Sequence, residues 1–414
     1  MKMAYKTVKG GVCAPQGFLG AAVSCGVKNP KDRRTDLALI YSEHPCVSAG
    51  TFTTNRVKAA PVKVTQAHLR AQELRAIVAN SGNANACTGV HGIEDARSMA
   101  KLIALPLGLK QREVGVCSTG VIGIPLPMDR ITPGLALLPG HLNSKGGTEV
   151  AKAIMTSDTT IKEIAITASI GGQKVRIGAC AKGAGMICPS MATMLCFVTT
   201  DANLSKTCLH KTILEAVEGS FNRICIDGDM STNDTVLVLA NGQAGGPRIA
   251  RGSKACREFR EALQHVLLKL AQSCVKDGER VRKFVTLEVR GASTYLDAKK
   301  VAEAVAKSAL VKASWNGDDP NWGRIIHAIG YSRARIREEL IDISYEDKPA
   351  CEGGLMAKTP HKLLRDIAAR DSFTITVNLH QGKADYTIYT TDLSPEYIDF
   401  NRSEYSYWKN SGLG

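Results

Sequence analysis

The 414-residue sequence lacks any continuous apolar run of about 20 residues, the length that a membrane-spanning helix requires, because Gly, Lys or Thr interrupts its longest apolar segments. The first 12 residues carry three lysines but are followed by no apolar segment, so we expect no secretory signal and a soluble, cytoplasmic protein. Aromatic residues make up only 5%, and the basic residues are scattered rather than interleaved with them. We therefore expect no membrane partner and no nucleic-acid partner.

Motifs for metals and nucleotide cofactors are missing as well. The thirteen cysteines form no Cys-x-x-Cys pair and no zinc-type spacing with His, so in a reducing compartment most should be small buried apolar residues. No phosphate loop occurs, and Gly183 and Gly185 are followed by Cys188 where a dinucleotide fingerprint needs Gly. A calcium-like start at Asp227 has Val238 where a bidentate Glu is required. We expect neither a metal nor a resident cofactor.

The amino-acid composition is that of an ordinary globular protein with an excess of basic residues. Hydrophobic residues make up 44% and charged residues 22%, and the length corresponds to two or three domains at roughly 150 residues each. Lys+Arg total 53 against Asp+Glu 39, a net charge of +14, and 23 of these cations but only 11 of the anions precede Thr193. We interpret the excess of positive charge as the source of an electrostatic field that attracts small carboxylate substrates. The alternative is a generally solvated basic surface.

Hydrophobic patterns predict alternating strands and helices, which favours an α/β or α+β protein with more than one lobe. Residues 373–379 and 386–389 alternate in the strand pattern around the turn at 380–383, which predicts a hairpin. The other predicted strands are 37–41, 76–79, 114–117, 236–240 and 285–289. Helices are predicted over 93–103, 257–275 and 299–312, where apolar residues recur at three and four positions.

The segment from Lys182 to Phe197 (KGAGMICPSMATMLCF) has the composition of a self-processing site. A glycine turn leads through Pro189 to the small residue Ala192, then to Thr193 and an apolar run. If the Thr193 hydroxyl attacks the Ala192 carbonyl, the new chain begins with Thr193, whose amine, with a pKa of about 7.7 to 8.0, can act as a general base. The alternative is that Thr193 is an ordinary strand residue.

Further polar motifs occur at predicted strand ends and helix starts, in a fixed order along the chain. They are residues 53–61 (TTNRVKAAP), 80–89 (NSGNANACTG), 117–123 (CSTGVIG), 227–234 (DGDMSTND) and 319–324 (DPNWGR). Together with the Thr193 segment they resemble the ornithine acetyltransferase (glutamate N-acetyltransferase) family of arginine biosynthesis over nearly the whole chain.

This resemblance implies a layered α/β sandwich of the N-terminal-nucleophile-like ornithine acetyltransferase type, with a smaller C-terminal lobe. It implies autocleavage between Ala192 and Thr193 into an alpha fragment of residues 1–192 and a beta fragment of residues 193–414, which associate as a heterotetramer of two each. The implied reaction moves acetyl from N2-acetylornithine to glutamate through an acetyl ester on Thr193. Acetyl-CoA is a possible second acetyl donor, as a substrate rather than a cofactor.

Site residues are also implied by the resemblance. Thr119 and Gly120 correspond to the oxyanion hole, which fits the need for donors at the oxyanion of a tetrahedral intermediate. The implied substrate contacts are Thr156, Lys182, Thr193, Glu279, Asn401 and Ser406. A lysine and a glutamate suit substrates that carry carboxylates and, in ornithine, a side-chain ammonium. Ordinary solvated surface charges are the alternative for both.

The sequence departs from the family pattern at three places. Ser190 stands where Asn usually precedes Met-Ala-Thr, and Arg280-Val281-Arg282 replaces a common Gly-Ala-Thr after the substrate glutamate. The second departure places two extra cations beside Glu279 and predicts altered substrate preference or electrostatics. Near the C-terminus, the tyrosine between Asn401 and Ser406 is shifted, and eight residues follow Ser406.

Two other functions remain open from the residues alone. An N-terminal-nucleophile amidase or aminopeptidase would use the same processed Thr193 but pass the acyl group to water. An unprocessed protein that binds anions would keep one intact chain. The number of polypeptides on a denaturing gel separates the last hypothesis from the other two.

Overall fold

The computed structural model describes residues 5–188 and 194–402, which form two compact units. The first unit comprises residues 5–183, 194–222 and 230–274. The second comprises residues 184–188, 223–229 and 275–402 and is the smaller of the two. The chain therefore passes from one unit to the other several times, and the units do not coincide with the proposed fragments. The fragment boundary after residue 192 stays a prediction.

Strands alternate with helices along most of the described chain. The strands are β1 Lys6–Val8, β2 Phe18–Val23, β3 Leu37–Ser42, β4 Val47–Phe52, β5 Ala76–Asn83, β6 Val114–Val121, β7 Lys162–Ile170, β8 Gln173–Lys182, β9 Leu195–Thr200, β10 Ile224–Cys225, β11 Thr235–Ala240, β12 Phe284–Ala292, β13 Asp342–Tyr345, β14 Lys348–Glu352, β15 Leu355–Met356, β16 Ser372–Asn378 and β17 Ala384–Thr391. The helices are α1 Ala60–Ala71, α2 Gly89–Ala104, α3 Met128–Leu137, α4 Gly147–Ala153, α5 Lys206–Glu218, α6 Lys254–Lys276, α7 Tyr295–Lys307, α8 Ala309–Asn316, α9 Trp322–Gly330, α10 His361–Ala368 and α11 Pro395–Arg402. Short 3-10 turns lie at Gly11–Cys13, Gln111–Glu113, Leu138–His141, Phe221–Arg223 and Glu338–Leu340.

The first unit contains two sheets that share a core. One has the strand order β2-β3-β5-β6, and the other has the order β1-β7-β8-β9-β11-β4. Side chains of β3 alternate between its faces, as the pleat requires. Ala38 and Ile40 join a buried cluster with Phe197 and Leu237 of the second sheet, and helix α4 contributes to the same cluster. The two sheets are therefore layers on either side of one core.

Helices cover the opposite face of the four-stranded sheet. Leu37 and Leu39 of β3 pack with Met99 and Ile103 of α2 and with Leu135 of α3. The buried residues of α2 recur at three and four positions, so one face of the helix is apolar along its length. The arrangement confirms the predicted α/β class and its layering.

The second unit is built on a single seven-stranded sheet with the order β10-β17-β12-β16-β13-β14-β15. Helices α7 and α9 pack on it through Val301, Val305, Ile325 and Ile329. The predicted hairpin between residues 373–379 and 386–389 is wrong, because β12 lies between β16 and β17, parallel to the first and antiparallel to the second. Strand alternation predicts each strand correctly, but it does not specify which strand supplies the backbone partners.

The helix predicted over residues 299–312 is two helices in the structure. Helix α7 ends at Lys307, and the Ser308 hydroxyl accepts a hydrogen bond from the Val311 N–H at the start of α8 over 3.3 Å. A serine side chain that caps a new helix competes with continuation of the old one, which explains the break.

Candidate active site

Lys182 is the last residue of β8, and its ammonium is buried in the first unit. Only 3% of the residue is exposed. Its Nζ donates hydrogen bonds to Thr156 Oγ1 over 2.6 Å and to Thr119 Oγ1 over 3.2 Å. Three of the residues that the resemblance assigns to oxyanion stabilisation and substrate contact are thus brought together from three separate segments. We call this group, with Asp158, the lysine cluster.

Asp158 balances the charge of the lysine cluster. Its carboxylate lies 3.9 Å from Lys182 Nζ and 2.7 Å from Lys162 Nζ, and it accepts N–H groups from Thr156 and Gly183. Burial by itself would raise the pKa of Asp158, but the two ammonium charges and these hydrogen bonds lower it to about 2. The carboxylate is therefore ionised at neutral pH and holds both the lysine and the Thr156 backbone in place.

Gly120 lies beside Thr119 near the end of β6, and its backbone requires glycine. Its φ is +137°, and a Cβ there would lie 2.3 Å from the Gly82 carbonyl carbon and 2.4 Å from the Asn83 nitrogen. The residue itself is exposed while Thr119 is buried. A strand end with an exposed glycine lets another molecule approach the backbone closely, as an oxyanion site needs.

The polar motifs at 80–89, 117–123 and 231–234 form one buried hydrogen-bond network behind this strand end. Asn233 Nδ2 donates to the carbonyls of Ala84 and Ser118 over 2.6 and 2.8 Å. Ser118 Oγ donates to Asn80 Oδ1 over 2.6 Å. Because buried amides are costly unless paired, these contacts fix the path of the chain immediately before Thr119.

Met194, directly after the proposed nucleophile, belongs to the first unit. Thr193, Ala192 and Ser190 lie outside the described residues, so their predicted roles and the cleavage bond remain predictions. On either side of them, Lys182 of β8 pairs in register with Leu195 of β9, and β9 lies between β8 and β11. The Met194 N–H donates to the buried Asp234 carboxyl over 2.9 Å. Both flanks of the proposed cleavage segment are thus anchored.

Glu279 belongs to the second unit and is also held from several directions. Its N–H donates to the Ala184 carbonyl over 2.8 Å, and Asn401 Nδ2 donates to its Oε2 over 3.1 Å. A Cβ on Gly185 would lie 2.4 to 2.5 Å from the Glu279 carboxyl group, so the glycine makes room for it. Glu279 and Asn401 are therefore brought together as the resemblance implies. Ser406 lies outside the described residues.

Asp227 supports the same region of the second unit. It accepts the N–H groups of Met186 and Ile187 and the hydroxyl of Tyr397, the last over 3.2 Å. Burial raises the pKa of Asp227 despite these hydrogen bonds. Burial, followed by the nearby Asp227 charge, raises the pKa of Tyr397 as well. Asp227 thus joins the 186–187 segment to helix α11.

Three supporting residues received no role in the sequence analysis: Asp158, Lys162 and Asp234. Asp234 lies in the 227–234 motif, and both Asp158 and Asp234 have serine or threonine neighbours in the sequence, which is the signal that could have indicated them. The motif at 319–324 has a different use, because Asn321 caps α9 by accepting the Arg324 N–H. This contact stabilises a helix start and shows no catalytic feature.

Residues 5–188 and 194–402 contain neither a metal-ligand cluster nor a membrane-spanning helix. In those ranges no three His, Cys, Asp or Glu side chains are grouped so as to hold a metal ion. None of the helices in the same ranges is long and apolar enough to span a membrane. All thirteen cysteines lie in these ranges and eleven of them are buried, which confirms the predicted use of most of them as small apolar residues.

A buried cation, two hydroxyls and an exposed strand-end glycine are groups that can hold a substrate carboxylate and stabilise an oxyanion in acyl transfer. The ArgJ family model matches residues 20–406 of the chain. Relatives named arginine biosynthesis bifunctional protein ArgJ are 46% identical in Symbiobacterium thermophilum, over 95% of this chain and 98% of the relative, and 46% identical in Geobacter sulfurreducens, over 93% and 98%. The chain belongs to the ArgJ family.

Solved structures include similar proteins. The ornithine acetyltransferase from Mycobacterium tuberculosis complexed with ornithine is 40% identical, over 45% of this chain and 99% of its own, with a TM-score of 0.42. The arginine biosynthesis bifunctional protein argJ from Bacillus halodurans is 35% identical, over 50% and 98%, with a TM-score of 0.48. Family membership confirms the resemblance and the predicted enzyme class, an acetyltransferase of arginine biosynthesis.

Proposed function

We propose that this enzyme moves acetyl from N2-acetylornithine to glutamate through an ester on Thr193, after cleavage of its own Ala192–Thr193 bond. The observation that carries the proposal is the lysine cluster, in which Lys182 joins Thr119 and Thr156 beside the exposed Gly120. A buried ammonium can form a charge-assisted hydrogen bond to a substrate carboxylate, and the strand end offers donors to an oxyanion.

Processing would come first. The Thr193 hydroxyl attacks the Ala192 carbonyl carbon, the peptide C–N bond breaks, and the Thr193 nitrogen takes a proton to become an amine. Water then hydrolyses the ester and leaves chains of 192 and 222 residues. The pairing of β9 between β8 and β11 supports the expectation that the fragments stay associated after cleavage, since the sheet bonds do not depend on the cut peptide.

Transfer would follow in two half-reactions. The Thr193 hydroxyl attacks the acetyl carbonyl of N2-acetylornithine, the amide C–N bond breaks, and ornithine leaves with the proton on its amine. The amine of glutamate then attacks the acetyl ester, and N-acetylglutamate leaves while Thr193 regains its proton. The Thr193 amine acts as the base in each half. Lys182 is proposed to receive a substrate carboxylate and Glu279 the side-chain ammonium of ornithine.

A Thr193→Ala variant tests the proposal directly. Intact mass should show a single chain in the variant and two chains in the parent, and acetylglutamate formation should fall to background. Thr193→Ser is the matched control, because serine keeps a hydroxyl nucleophile, and it should be cleaved more slowly but still transfer acetyl. A processed and fully active Thr193→Ala protein would refute the proposal. Net release of acetate with no acetylglutamate would instead indicate the amidase alternative.

The remaining expectations are part of the same proposal. The relatives are named bifunctional, which supports acetyl-CoA as a second acetyl donor for glutamate, with no resident cofactor. Incubation of the processed enzyme with acetyl-CoA and glutamate, followed by thiol release, tests this use. Light scattering tests the heterotetramer, and fractionation of cells tests the cytoplasmic location.

A further inference from the structure

Arg280 occupies a backbone conformation that suits glycine. It follows Glu279 directly, and its φ is +56°, in the left-handed region that side chains disfavour. A glycine would reach the same conformation without strain. A non-glycine residue in this conformation costs about 1 to 2 kcal/mol, which a contact of the arginine side chain can offset.

Such a contact exists with helix α11. The Arg280 guanidinium carbon lies 5.0 Å from the centroid of the Phe400 ring, within the range of a cation–π interaction. The Arg280 carbonyl also accepts the Ser394 hydroxyl over 2.7 Å, and Ser394 Oγ in turn accepts the Tyr397 N–H within the first turn of α11. The turn that carries Glu279 is thus joined to both ends of this eight-residue helix.

The same helix contacts Glu279 itself. Asn401 follows Phe400 and donates to Glu279 Oε2 over 3.1 Å. Stacking of Arg280 on Phe400 restrains Phe400. Phe400 directly precedes Asn401, which orients the Glu279 carboxylate. Because Glu279 is only half-buried, this restraint decides how much freedom its side chain keeps.

We propose that Arg280 is a positioning residue that holds Glu279, through Phe400 and Asn401, in the orientation that receives a substrate ammonium. This inference rests on the proposed function, in which Glu279 contacts the side-chain ammonium of N2-acetylornithine. It assigns a use to one of the two extra cations beside Glu279. The other, Arg282, is exposed, and its backbone N–H rather than its side chain donates to Asp392.

The experiment compares Arg280→Ala, Phe400→Leu and Arg280→Lys in the full processed enzyme, with Arg282→Ala as the matched control. A surface cation–π contact corresponds to roughly a two- to fivefold effect on an equilibrium. We expect Arg280→Ala and Phe400→Leu each to raise KM for N2-acetylornithine by about that factor. We expect kcat and the KM for glutamate to stay unchanged in both. Arg280→Lys keeps a cation over the ring and should restore most of the loss.

If the Arg280 charge instead acted directly on the substrate, the change in KM for N2-acetylornithine would have the opposite sign. Removing a cation near the ammonium site would then lower KM in Arg280→Ala, leave Phe400→Leu unchanged, and lower KM in Arg282→Ala as well. Any of these results overturns the proposal. So does an unchanged KM for N2-acetylornithine in both Arg280→Ala and Phe400→Leu.

Hydrogen exchange supplies a readout that does not depend on turnover. Amides of α11 should exchange faster in Arg280→Ala and Phe400→Leu than in the parent and in Arg282→Ala, and equal exchange rates would contradict the inference. If the parent enzyme does not use N2-acetylornithine, the proposed function fails, and exchange in α11 still decides whether Arg280 restrains the helix.

Discussion

Asp234 holds the backbone of Met194 through a 2.9 Å hydrogen bond, so a buried carboxyl group anchors the residue that follows the proposed nucleophile. Burial raises the pKa of Asp234 well above its ordinary value, against the opposing effects of the Met194 N–H and of the Lys182 charge. The folded protein therefore binds this proton more tightly than the unfolded chain. Stability from this group is present below the unfolded pKa and is lost as pH rises through the folded pKa.

Asp234→Asn should consequently change the pH dependence of stability. The amide keeps an oxygen for the Met194 N–H but cannot ionise. From about pH 4 upward, the free energy of unfolding of the parent should fall relative to the variant by up to about 1.4 kcal/mol per pH unit, until the folded pKa is passed. Urea unfolding at pH 5, 6 and 7 measures this. Exposed Asp129→Asn should run parallel to the parent, and a parallel profile for Asp234→Asn would contradict the prediction.

Lys182→Met should separate binding from stability in the lysine cluster. Loss of a charged hydrogen-bond donor predicts a fall in kcat/KM for N2-acetylornithine of roughly 100-fold. Asp158 keeps Lys162 as a partner, so we expect a loss of about 3 kcal/mol in the free energy of unfolding, at the low end for a broken buried pair.

The double variant Lys182→Met with Asp158→Asn also removes the carboxylate that the buried Lys162 ammonium contacts over 2.7 Å. It should lose further stability, measured by urea unfolding, and its activity should stay low. Lys152→Met is the matched surface control, because Lys152 pairs with Glu149 on an exposed face of α4 and should change stability by less than about 1 kcal/mol. Recovery of activity in the double variant would show that Lys182 serves the fold rather than the substrate.

Gly120→Ala should slow both processing and transfer by roughly 100-fold. The added methyl group would collide with the backbone at Gly82 and displace the strand end that is proposed to face the oxyanion, which corresponds to about 3 kcal/mol of transition-state stabilisation or roughly 100-fold in rate. Gly108→Ala is the control, since Gly108 also has a positive φ but open space around it. It should lose only about 1 kcal/mol of stability and remain active. Intact mass measures processing in the two variants, and single-turnover rates measure acetyl transfer.

Local sequence patterns predicted individual strands and helices but not the pairing of the strands. Alternation along residues 285–289 predicted β12, and the apolar spacing of residues 257–275 predicted α6. Each pattern is local, because it arises when one strand or one helix packs its apolar face on the core. The hairpin failed because β12 inserts between β16 and β17, and this partner lies more than 80 residues earlier in the chain than β16. Strand pairing over such a distance leaves no local pattern.

The sequence by itself determined the class of the protein. Its motifs, in their order, specified the family and the enzyme class, and they predict roles for Thr119, Gly120, Lys182 and Glu279, since chemistry restricts which residue types can occupy such positions. Tertiary structure alone decided the partners: Asp158 between two lysines, Asp234 on the Met194 backbone, and Arg280 on Phe400. The charge state and orientation of these groups depend on burial and on neighbours distant in sequence, and only the folded chain provides them.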